Sequence, residues 1–109
     1  MIPLAFPFER DQYVHRLVER DGMIAIVERT STHPDSRGKV HWEVIVVRTQ
    51  PVRRLGGRTL PASERYPGSS DWGTYGWTYT SEADARVRYD RLRSLRQGGQ
   101  QPRKEENEP

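Results

Sequence analysis

Tyr13-Val-His-Arg-Leu-Val-Glu-Arg20, then Asp21-Gly22, then Met23-Ile-Ala-Ile-Val-Glu-Arg29: two β-prone runs meet at a turn dipeptide. Asp-Gly between such runs is the strongest short-range hairpin signal, because a type I′ turn needs φ > 0 at both central residues. A turn centred on Asp21-Gly22 sets Arg20 opposite Met23, Leu17 opposite Ile26 and His15 opposite Glu28. One face then carries Tyr13, Leu17, Ile24 and Ile26 and is expected to be the core side. The other carries Val14, Val18, Ala25 and Val27 among arginines.

Downstream, the polar turn formers of residues 30–38 lead into Val40-His-Trp-Glu-Val-Ile-Val-Val-Arg48. In that strand Trp42, Val44 and Val46 point one way and Ile45 and Val47 the other, as in a strand covered on both faces. Residues 51–76 hold five glycines and three prolines. They read as a functional loop or a hidden element, with a fourth short strand at Arg58-Thr-Leu60. Trp77-Thr-Tyr-Thr80 is a short β-prone run. Ser81-Glu-Ala-Asp84 has the shape of a helix cap, and Ala85, Tyr89, Leu92 and Leu95 follow on one helical stripe. Gly98-Gly99 ends that helix.

The expected fold is therefore α+β: a three- to four-stranded antiparallel meander with one C-terminal helix on one face. Residues 1–97 form a single domain, with 1–8 as an N-terminal arm packing Phe6 and Phe8. Residues 98–109 contain no apolar side chain and are expected to be a disordered polar tail.

Composition narrows the function. Cysteine is absent, which removes disulfides and thiolate metal ligands. No stretch approaches the length of a membrane span and no signal-peptide pattern opens the sequence, so a cytoplasmic, membrane-free protein is expected. His15, His33 and His41 show no metal-ligand spacing, and no nucleophile elbow is present, so neither cofactor nor enzymatic activity is expected. Carboxylates such as Glu43 on the third strand could in principle act as general acid or base, but Glu43 reads as a solvated strand residue facing an arginine. A deep pocket lined by His15, His41 and Glu43 would revive an enzymatic reading.

Two features remain. Arg53, Arg54 and Arg58 surround Leu55-Gly-Gly57, a basic loop suited to phosphate. Asp71-Trp-Gly-Thr-Tyr-Gly-Trp-Thr-Tyr79 places four aromatics in nine residues. Trp77 and Tyr79 share parity and are expected to pack near Tyr89, while Trp72 and Tyr75 are the candidates for a binding surface. These five residues, Arg53, Arg54, Arg58, Trp72 and Tyr75, are read first as a surface for a partner protein. The alternative is a nucleic-acid-binding module, with the arginines on phosphates and the two aromatics stacking on bases. A homodimer is left open.

The stretch Trp72-Gly-Thr-Tyr-Gly-Trp-Thr-Tyr-Thr-Ser-Glu-Ala-Asp-Ala85, behind a meander and ahead of a helix, resembles small proteins of phages and other mobile elements. That resemblance covers residues 13–95 and implies no particular activity. The same stretch is faintly similar to the WGR domain, which would imply association with nucleic acid; here Thr74 stands where that motif has arginine.

Overall fold

The structure, a computed structural model, describes residues 1–97, so the expectations for Gly98-Gly99 and for the tail 98–109 lie outside the described residues. In chain order the strands are β1 (Phe8–Arg10), β2 (Tyr13–Asp21), β3 (Ile24–Ser31), β4 (Val40–Val46), β5 (Arg48–Gln50), β6 (Arg53–Leu55), β7 (Arg58–Leu60), β8 (Ser63–Arg65) and β9 (Gly76–Tyr79). Helix α1 (Glu82–Gln97) follows. Five strands form one antiparallel sheet in the order β1-β2-β3-β4-β9, and α1 packs across one face. The α+β meander with a helix is as the sequence implies, and β1 at one edge brings the strand count to five.

The β2–β3 hairpin turns one residue later than expected. Gly22 alone adopts positive φ, 61°, and Asp21 pairs with Ile24, so Gly22-Met23 forms the turn. Glycine at the first central position is the requirement of a type II′ turn, whereas the expected type I′ turn needs two positive φ values. A bulge between Leu17 and Glu19 then shifts the register again, so that Leu17 faces Val27 and His15 faces Arg29. A bulge flips the face on which later side chains emerge. Tyr13 and Leu17 consequently lie on the face opposite Ile24 and Ile26, not beside them, and Leu17 and Val18 are exposed.

Both faces of the sheet are covered, as the two-sided pattern of β4 suggests. On the helix side Ile24, Ile26 and Val44 pack with Ala85, Tyr89 and Leu92, flanked by Trp42, Trp77 and Tyr79. Ser81 Oγ accepts the Asp84 amide at 3.1 Å and starts the helix. Arg88 Nε donates to the Tyr79 hydroxyl at 3.0 Å, and its guanidinium lies 4.5 Å from the Trp77 ring centre.

On the other face Ala25, Val27, Ile45, Val47 and Tyr66 form a second core with Leu4, Phe6, Phe8 and Trp72. Two segments cover it: the N-terminal arm and the chain from β5 to β9. Within the latter, β5 pairs with β8 and β6 with β7, which resolves residues 51–76 into a two-stage ribbon and a return strap. The strap is fastened at Asp71, whose carboxylate accepts from Arg48 at 2.8 Å and lies 3.8 Å from Arg65. No helix among the described residues is long and apolar enough to cross a membrane.

Candidate functional site

Glu43 sits in the middle of the sheet face under the strap. Its strand is apolar on both sides, so the carboxylate is buried at 3% exposure instead of solvated. A buried carboxylate is tolerable only when its oxygens are paired. Oε1 accepts the Tyr66 hydroxyl at 2.5 Å. Oε2 lies 3.1 Å from Arg29 Nη1, reached diagonally from the neighbouring strand, and 3.4 Å from Thr78 Oγ1 on its other neighbour. Thr78 Oγ1 in turn accepts the indole N–H of Trp72 at 2.9 Å. A single connected network thus links β3, β4, β9 and both ends of the strap.

Above this floor opens a cleft of about 460 Å³. Tyr13, His15, Tyr66 and Trp72 contribute rings to its walls, and Arg10 stands at its mouth. The rings support one another. His15 stacks on Phe8 with centroids 4.5 Å apart, Tyr66 meets both edge-on at 5.4 Å, and Trp72 lies 6.5 Å from Tyr66. Arg29, held by Glu43, covers the Tyr13 ring at 4.1 Å.

Trp72 is fixed from behind as well. A Cβ placed on Gly76 would come within 2.5 Å of the indole ring, so only glycine lets the ring lie flat on the backbone there. Burial is the main cause that lowers the His15 pKa, outweighing the nearby Glu43 carboxylate, and His15 is accordingly neutral at pH 7. Burial, then the Glu43 charge and the hydrogen bond to it, push the Tyr66 phenol far up, so it remains a donor at every physiological pH.

The five residues singled out by sequence do not form one site. Trp72 belongs to the cleft. Tyr75 is half-buried outside it, with the Arg48 guanidinium 3.8 Å from its ring centre. Arg53, Arg54 and Arg58 stand on the exposed β6–β7 ribbon, away from the cleft walls. Of the catalytic trio considered from sequence, His15 and Glu43 line the cleft and His41 does not. Tyr66, Tyr13, Arg29 and Thr78 were not legible as site residues. The available signal was Glu43 itself: a carboxylate in a strand apolar on both faces demands buried partners. Among the described residues, no group of three or more His, Asp or Glu has the arrangement of a metal site.

No protein-family model matches the chain, and neither the curated proteins nor the solved structures compared with it contain a match.

Proposed function

We propose that this chain is a non-enzymatic binding protein that engages a partner protein, an aromatic side chain of the partner entering the cleft that Tyr66 and Trp72 help to line. The observation that carries this reading is the pairing beneath the cleft. Both oxygens of Glu43 are engaged, and the Trp72 N–H and the Thr78 hydroxyl are satisfied within the same network. The floor holds its groups in place, and the walls offer ring faces beside the polar side chains of Arg10, Asp11 and Ser69. Tyr, Trp and Arg are the residue types that dominate protein interfaces, and a volume of this size accommodates a bulky side chain. Rings already locked in position lose little freedom on binding, which favours affinity.

The test is selection of linear peptides from a random display library against the folded protein, followed by calorimetric titration of the winners. Selected peptides are expected to share an aromatic anchor and to lose at least about tenfold in affinity against Trp72→Ala, the mark of a central interface residue. Tyr75→Ala is expected to leave affinity unchanged. Peptides that ignore Trp72, or an absence of any selected sequence, would remove this reading.

A further inference from the structure

The β6–β7 ribbon has no part in the cleft, and its chemistry differs from the rest of the molecule. The chain has 18 Lys and Arg against 15 Asp and Glu, a formal charge of +3. Three of those bases, Arg53, Arg54 and Arg58, are on the ribbon, and no acid occurs anywhere between Glu43 and Glu64. The bases elsewhere therefore match the acids in number, and the whole excess charge belongs to this one projection. Five arginines of the body are tied to carboxylates: Arg20 to Glu64, Arg29 to Glu43, Arg48 to Asp71, Arg86 to Glu19 and Arg93 to Asp21. Arg53, Arg54 and Arg58 are exposed and have no ion-pair partner among the described residues.

Geometry adds to charge. Register pairs Arg53 with Leu60, Arg54 with Thr59 and Leu55 with Arg58. Paired residues share a face and alternate ones oppose, so Arg53 and Arg58 emerge on one side and Arg54 on the other. Gly56 and Gly57 close the tip with φ of 58° and 81°, leaving no side chain there to widen it. Leu55 is 58% exposed beside them. The base is rigid: β5 and β8 pair beneath it, Ile2 bridges to Ser63, and Arg48 and Arg65 reach Asp71.

We propose that this ribbon is a DNA-binding arm that enters the major groove of duplex DNA, with Arg53, Arg54 and Arg58 on phosphates to either side. A two-stranded ribbon is an element that groove admits, at about 12 Å across, while the deep and narrow major groove of RNA duplexes excludes it. Arginines on opposite faces meet both walls of the groove, and the bare glycine tip faces the base edges. The arm acts independently of the cleft.

Fluorescence anisotropy with labelled 20-base-pair DNA duplex, RNA duplex and single-stranded DNA, each between about 50 and 200 mM salt, tests it. Duplex DNA is expected to bind best. Its log affinity should fall against log salt with a slope of about −2.7, as three neutralised phosphates require. The triple substitution Arg53→Ala, Arg54→Ala, Arg58→Ala is expected to abolish that binding, and the corresponding triple lysine variant to keep most of the slope. Trp72→Ala is expected to bind DNA as the parent does, which separates this arm from the cleft. An unchanged slope in the triple alanine variant, equal binding of all three nucleic acids, or no binding at 50 mM salt would each overturn the proposal.

Discussion

The Tyr66 phenol donates to Glu43 Oε1 at 2.5 Å across a sequence separation of 23 residues, and this bond joins the strap to the centre of the sheet. Removing the donor with Tyr66→Phe leaves a buried carboxylate oxygen without a partner. The expected loss is about 1–3 kcal/mol of stability, seen as a lower urea midpoint at unchanged m. In a Glu43→Gln background the same substitution should matter less, because an unpaired amide oxygen is less costly to bury than a charge. Strict additivity of the two changes would show that the bond does not couple strap to sheet.

His15 predicts a pH dependence. Burial holds its folded pKa below the ordinary 6.5, so the unfolded chain binds the proton more readily. Stability from this group is complete above about pH 6.5 and declines as the pH falls toward the folded pKa. The slope in that window is at most about 1.4 kcal/mol per pH unit for one group. His15→Phe preserves the stack on Phe8 and is expected to flatten thermal stability between about pH 5 and 7. An identical pH profile in the variant would show that another group is responsible.

Gly76 supports Trp72. Gly76→Ala forces a methyl into the indole ring at 2.5 Å, and the strand backbone cannot retreat. The expected outcome is a shifted tryptophan emission spectrum and a destabilisation of about 1–3 kcal/mol, as for overpacking. Peptide capture should fall with it. A spectrum and midpoint equal to those of the parent would mean that the indole does not rest there.

A gain in stability is expected at the first turn. Asp11 and Gln12 both hold positive φ, 55° and 67°, in the turn between β1 and β2, a conformation that disfavours a long L side chain. Gln12→Gly is expected to raise stability by roughly 1 kcal/mol, net of the added freedom of the unfolded chain. A fall in melting temperature would show that the Gln12 side chain contributes more than its backbone strain.

What sequence disclosed follows from which interactions are local. The β2–β3 hairpin, the capped helix beginning at Ser81 and the two-sided character of β4 rest on patterns within a few residues, and all three are present. The register of the hairpin was not legible, because glycine at either central position suits a tight turn and the bulge at Val18 leaves no local mark. The Asp11-Gln12 turn lacks the glycine that would announce it. The cleft was half legible. Trp72 stood out by aromatic density, but Tyr66 is an isolated ring between Arg65 and Pro67 whose role is set by Glu43, far away in sequence. Solvated or buried, Glu43 reads identically unless the second face of β4 is known to be covered.

The proposed binding requires that the rings of Tyr66 and Trp72 seat an aromatic side chain. Nuclear magnetic resonance of the ¹⁵N-labelled protein, titrated with N-acetyl-tryptophanamide, tests it most directly. Saturable shifts are expected for the Trp72 indole N–H, identified by its loss in Trp72→Phe, and for the Tyr66 and Thr78 amides. The indoles of Trp42 and Trp77, packed on the helix side, should stay in place. Shifts confined to Tyr75 or the arginine ribbon, or no saturable shift at all, would contradict it.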